Sequence, residues 1–572
     1  MLHQFKKSLI RLSQYQSRGY VLDCLFLTIV VVISVAFYVT KLGFYSDDWA
    51  FWGTFSFLNH QSYIEFLKTI FFSHNQPSPL QSSLMRPVQI LYLTGLYFIF
   101  SLHPLGYHLV NAFVLLLSCL LFYVTLQYLK LPRIISVALP LLYILMPNYS
   151  TDRFWIAAFQ ANLSMAAYFL SLYSGLKGMH SSTKNLWWKL LSIVSLLIST
   201  LSYEVVLPLF LFNTFLFHNP DFWQTMKTSA KSKKQSISFI LLYIITLGIV
   251  VLYKFITTTR LGNGPFQHLI HYPGYVVYTI HTALSVNFLD LGVKLPYILW
   301  KIFFIFPNAV ILTIGILLGI FIFWYLYSFT TRTKIDIPNS RYMLKLTLVG
   351  LLIFVLGYAI FFVNNNINFT PTGIGNRVAI AAAAGMAITL IGIVGWISNL
   401  LFSGKVVTLF FSLCIAILCT VYFIITTTLS LFWINAYHQE QKILYSIHRK
   451  IPTLASNSTV ILDGVCPYNG PAIIFESNWD LRGVLILIYH NSTLHADVVT
   501  PNLKIENNDL HTRIYNQNAY YPYKNLLIYN YKNNMVYPLP NEKSASGYFQ
   551  KYDRDFSNSC PKGSAGLGVA VF

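Results

Sequence analysis

The chain has 572 residues, of which 55% are hydrophobic and only 10% charged, with a formal net charge of +20. So little charge cannot cover the surface of a soluble protein of this size. The basic excess falls between apolar runs and forms no stripe on a soluble fold, so topology and lipid headgroups account for it better than nucleic acid does. The apolar residues gather into runs such as 21–40, 111–128, 237–253, 344–363 and 406–432. Each approaches the roughly 20 residues a helix needs to cross a hydrocarbon core.

Lys6, Lys7, Arg11 and Arg18 precede the first run, and no small-x-small cleavage signal follows it. That pattern predicts an uncleaved signal anchor with a cytoplasmic N-terminus. The first passage, 21–41, then emerges on the far side at Phe44-Tyr-Ser-Asp47-Asp48 and opens an outer loop over 42–106. Within that loop 87–101 is apolar but short. If it crossed, every later basic cluster would face outward, so it reads as a helix along the membrane surface. The passage at 107–129 then returns Lys130 and Arg133 to the inside. Alternation puts 148–153, Glu204, 260–307 and 364–377 outside, and the Lys and Arg clusters around 184, 231, 332 and 405 inside. The expected architecture is all-α and polytopic, with about 11 passages.

Residues 1–432 read as the membrane domain and 433–572 as an extracytoplasmic α/β or β-rich domain. The latter is rich in Tyr and Asn, with β-prone stretches at 459–462, 484–489 and 526–529. Cys24, Cys119, Cys414 and Cys419 lie in apolar runs and read as small apolar residues. Cys466 and Cys560 are disulfide candidates if their domain is extracytoplasmic. No Cys or His spacing resembles a zinc site.

The carboxylates are distributed unevenly. Asp23 lies at the inner end of the first passage, and Asp221 and Asp336 fall among basic residues inside. Asp47, Asp48, Glu65, Asp152, Glu204 and Asp290 all fall outside. Arg86, His103, His108, Arg153, Lys254, Arg260 and Arg377 share that side. Acids at a membrane edge are costly unless paired or functional. A carboxylate can deprotonate an attacking hydroxyl, and Arg or Lys can hold a departing phosphate.

Several short motifs occur in a telling order: Tyr45-Ser-Asp-Asp-Trp49, Arg86-Pro87, His103-Pro-Leu-Gly-Tyr-His108-Leu-Val-Asn111, Pro147-Asn-Tyr-Ser-Thr-Asp152, Ser202-Tyr-Glu204 and Asn376-Arg377. Over about residues 20–400 this order resembles the GT-C superfamily of integral membrane glycosyltransferases. The nearest likenesses are the protein O-mannosyltransferases and the lipid A aminoarabinose transferases. The resemblance implies a polyprenyl-phosphate-linked sugar donor and transfer with inversion on the extracytoplasmic face. The acceptor would be a lipid, glycan or protein hydroxyl. It assigns the catalytic base to Asp47 or Asp48, with Asp47 favoured and Asp48 as its partner. Arg86, Arg260 and Arg377 become candidates for the donor phosphate, with Asp152, Glu204, His103 and His108 in support. Asp152 departs from the relatives' pattern, whose second acid falls nearer the position of Asn162. A divalent metal stays open, because some members use one and others do not. The alternative is a transporter or flippase of lipid-linked glycans, which should carry ionisable or helix-breaking residues near mid-membrane.

Overall fold

The computed structural model describes residues 2–58, 62–72, 84–180, 185–218, 230–260, 272–333, 337–363, 369–500, 502–514, 517–552 and 560. The helices, in chain order, are α1 (Leu2–Ala36), α2 (Asp47–Leu58), α3 (Tyr63–Phe72), α4 (Pro87–Phe100), α5 (Pro104–Tyr128) and α6 (Arg133–Leu145). There follow α7 (Phe159–His180), α8 (Asn185–Ser202), α9 (Leu209–His218), α10 (Ala230–Arg260), α11 (Tyr272–Leu284) and α12 (Leu295–Phe304). The membrane region closes with α13 (Ala309–Thr333), α14 (Ser340–Tyr358), α15 (Ile380–Leu401) and α16 (Lys405–Lys450). Among the described residues nine helices are long and apolar enough to cross a bilayer. The chain is a multi-pass membrane protein.

Two clusters of polar contacts define the two ends of the bundle. At one end Asp23 of α1 meets Tyr123 late in α5, Arg133 at the start of α6 and Tyr325 late in α13. At the other end the residues after α1 meet those between α6 and α7, and Glu204 after α8 meets Lys254 late in α10. The helices α1, α5 to α10 and α13 to α16 therefore alternate in direction between an Asp23 end and an Asp47 end. Both halves of α4 contact the Asp47 end. Gln89 donates to the Ala157 carbonyl at 3.3 Å, and Tyr97 stacks on Trp52. The segment from α11 to 306 behaves in the same way. Tyr272–Val293 has the length and apolarity to cross, but its contacts keep it at the Asp47 end. Thr279 donates to the Phe361 carbonyl, Asn287 to the Tyr358 hydroxyl, and Phe306 packs on Phe432.

Helix α16 runs unbroken for 46 residues from the bundle into the C-terminal domain. That domain holds a sheet in the order β4-β1-β8-β9. Strand β1 (Thr459–Asp463) pairs in parallel with β4 (His495–Val498) and β8 (Leu526–Asn530), while β9 (Met535–Pro538) is antiparallel. A hairpin of β2 (Tyr468–Asn469) and β3 (Ala472–Ile473) follows β1, and an antiparallel sheet joins β5 (Lys504–Ile505), β6 (Asp509–Ile514) and β7 (Gln517–Pro522). Alternation along the strands sends Val460 and Leu462 into the core shared with the membrane bundle. Ile461 and Ile528 face a second core against α18 (Glu542–Lys551).

The β-prone stretches at 459–462 and 526–529 are strands. The stretch at 484–489 is not: it forms the second half of α17 (Asn478–Tyr489). Ser477 and Asp480 form a capping box there, so the start of the helix is fixed and the apolar run after it propagates as helix. It serves as the crossover between parallel β1 and β4. Cys466 and Cys560 form a disulfide that closes a separation of 94 residues.

Candidate active site

The acidic pair opens α2, and its two carboxylates have different surroundings. Asp48 is fully buried. One oxygen accepts the Tyr45 N–H at 2.9 Å and the other the Ala157 N–H at 2.7 Å, which ties the loop after α1 to the start of α7. Asp47 is half-buried and faces the Arg377 guanidinium and the Trp479 indole. Burial raises the Asp47 carboxyl above its ordinary range, while Arg377 and the Trp479 N–H pull it back. Burial also drives Asp48 well upward, partly offset by its backbone donors. Asp47 is thus the more accessible acid of the pair, and Asp48 is a structural clamp.

The turn from Pro147 to Phe154 brings in the second acid. Asp152 is 0% exposed, and neither of its oxygens has a hydrogen-bond partner among the described residues. Burial pushes its carboxyl well up, and Arg377 and Arg153 act against that. Its backbone is held firmly, because Asn111 and Asn162 both donate to the Asp152 carbonyl, at 3.1 and 2.5 Å. Asn162, near whose position the resembled family carries its second acid, supports the Asp152 backbone in this chain. Asn376 knits the turn to the Arg377 segment through the Thr151 N–H and the Ser150 hydroxyl. Arg377 lies 5.0 Å over the Trp155 ring, whose N–H donates to the Tyr45 carbonyl.

A third group flanks these. Arg86 forms a two-pronged ion pair with Glu204, one prong at 3.0 Å, and lies over the Tyr203 ring. Lys254 reaches the same carboxylate at 3.2 Å and the Met85 carbonyl at 2.6 Å. Two cations share one carboxylate, so the trio carries one net positive charge. All three side chains are partly accessible.

Two residues named from the sequence lie off this surface. His103 is exposed at the N-terminal boundary of α5. His108 is buried, with Nε2 3.1 Å from the Gly43 carbonyl, where it steadies the loop behind the acidic pair. The Arg260 side chain, and also Asp221 and Asp336, lie outside the described residues. Among the described residues no three His, Cys, Asp or Glu converge on a metal-sized site. The sequence reading missed the contribution of the C-terminal domain. Glu440, Glu476 and Trp479 all reach the segment that carries Asp47. The Ser477-x-x-Asp480 signature of a helix start was the available clue.

No family model matches the chain, and no curated protein matches it. Among solved structures it resembles ArnT from Cupriavidus metallidurans bound to undecaprenyl phosphate, at 13% identity and a TM-score of 0.38. The likeness covers 82% of this chain and 88% of that one.

Proposed function

We propose that the chain is an inverting glycosyltransferase of the GT-C type. It would move a sugar from a polyprenyl-phosphate donor to an acceptor hydroxyl on the extracytoplasmic face of the membrane. The observation that carries this reading is a half-buried carboxylate, Asp47, facing Arg377 at one end of an apolar bundle. The motif order described above supports it independently.

In this mechanism the acceptor hydroxyl attacks the anomeric carbon while Asp47 takes its proton. The bond from that carbon to the phosphate oxygen breaks, and the electron pair leaves with the phosphate. Arg377 and the net-positive Arg86–Lys254–Glu204 trio stabilise the charge that grows there. Arg260 is a further candidate for that role. Asp48 cannot easily take the proton, because both its oxygens already accept backbone N–H groups, so its part is to aim Asp47. Helix α4 would lie along the membrane surface. A flippase is the less favoured reading, since the buried ionic groups sit at the two ends of the bundle.

The test is mass analysis of cell-envelope glycans from cells carrying wild-type or Asp47→Asn protein. Loss of one glycan modification with normal protein levels is expected, and unchanged glycans would overturn the assignment. Accessibility labelling of a cysteine placed at Ser46 checks the side, and labelling only from the cytoplasm would reject it.

A further inference from the structure

We infer that the C-terminal domain is a working part of the candidate active site, with Glu476 and Trp479 as positioning residues for Asp47. This rests on the reading of Asp47 as the base.

Four contacts join the domain to the loop that carries Asp47. Ser46, the residue just before it, has φ +45°, a left-handed backbone that a serine adopts only under constraint. Its hydroxyl donates to Glu476 Oε1 at 3.2 Å. Glu476 is only 3% exposed, and its second oxygen accepts the Tyr468 hydroxyl at 2.7 Å. One turn on, the Trp49 indole donates to Glu440 at 3.2 Å. Helices α2 and α17 then cross at two glycines. A methyl group on Gly53 would come within 2.6 Å of the Gly483 carbonyl, and one on Gly483 within 2.2 Å of the Trp49 carbonyl. That crossing brings Trp479, at the start of α17, beside the Asp47 carboxyl.

Three of these contacts do separate jobs. The glycine crossing sets the distance between the helices, Glu476 holds Ser46 in the turn that aims Asp47, and the Trp479 N–H favours the ionised carboxylate. A domain that only captured acceptors from a distance would need none of these. The disulfide at Cys466 lies two residues from Tyr468, so it braces the hairpin that holds Glu476.

The test measures Asp47 directly and needs no substrate. Full-length protein in lipid nanodiscs is treated with a water-soluble carbodiimide and glycine ethyl ester across pH 4–8. Modification of Asp47 is then read by mass spectrometry. Trp479→Phe keeps the ring but removes the N–H, and should raise the labelling midpoint. Glu476→Ala should change the Asp47 labelling rate several-fold, and Glu476→Gln, which retains an acceptor oxygen, much less. Adding Ser46→Gly, which adopts a left-handed backbone freely, should recover part of the Glu476→Ala loss. Midpoints and rates equal to wild type in Trp479→Phe and Glu476→Ala would overturn the inference. If the labelling responds as expected while Asp47→Asn still modifies the envelope, the positioning stands and the assignment of the base fails.

Discussion

Asp23 and Asp152 are both fully buried, yet their carboxylates are treated in opposite ways. Asp23 receives four hydrogen bonds: two from Arg133 at 2.6 and 2.7 Å, and one each from the Tyr123 and Tyr325 hydroxyls at 2.6 Å. Asp152 receives none among the described residues and sees its cations only across space. A buried charge with every lone pair satisfied locks helices together, here α1, α5, α6 and α13. A buried carboxyl left unsatisfied is costly to keep. Sites that hold such groups are where function is usually found. The same residue type is therefore a fastener at one end of the bundle and an unsatisfied carboxyl at the other.

The largest effect expected is on activity. Asp47→Asn should lower transfer by roughly 10²- to 10⁴-fold, the usual weight of a general base, with thermal unfolding in detergent unchanged. Next comes stability at the opposite end. Asp23→Ala takes the shared carboxylate away from the partly buried Arg133 guanidinium and from the two tyrosine hydroxyls and should cost about 3–5 kcal/mol, seen as a lower unfolding midpoint. Gly483→Val should follow, at about 1–3 kcal/mol for a forced contact, with transfer falling further than that loss explains. Asp152→Asn sharpens the contrast most directly. It should leave stability unchanged or slightly higher while reducing transfer, and a stability loss as large as that of Asp23→Ala would erase the distinction.

The smallest effect concerns pH. Burial raises the Asp152 carboxyl well above the value near 3.8 that it has in the unfolded chain. The folded protein therefore keeps a proton that the unfolded chain releases. That contribution to stability is present below about pH 4 and is lost as pH rises through the folded value. Asp152→Asn should flatten this part of the stability profile. Transfer should rise with pH over a limb lying above the ordinary carboxylate range, since Asp47 must be ionised to act and burial raises it.

Much of the membrane region was legible from the chain alone. Charge alternation depends only on which residues flank each apolar run, so it foresaw the polytopic bundle and the gathering of Asp47, Asp152 and Glu204 at one end. The Cys466–Cys560 pair was visible as the two cysteines outside the apolar runs. What was not legible depends on distance in space. Nothing near Arg86 in sequence announces that Glu204, 118 positions away, takes up its guanidinium. Ser46 and Glu476 are 430 positions apart. Residues 484–489 have the apolar, β-branched look of a strand, and only the cap at Ser477 decides for helix. Asp23 looked like one acid at a membrane edge, because its two tyrosine partners sit unremarked in apolar runs.

Helix α16 has a mechanical consequence. Its 46 residues make a rod about 70 Å long, with no break where it leaves the bundle. The Trp433 carbonyl accepts the Tyr45 hydroxyl, and Glu440 takes the Trp49 indole. The rod is therefore a lever with one arm in the lipid and the other against the loop that holds Asp47. A bilayer thicker or thinner than the apolar length of the rod changes its tilt. A few degrees of tilt would swing Glu440 by about 1 Å, and misplacement on that scale costs a reaction roughly 10²-fold. If Asp47 acts as proposed, turnover should vary with lipid thickness, with no ligand bound and no residue changed.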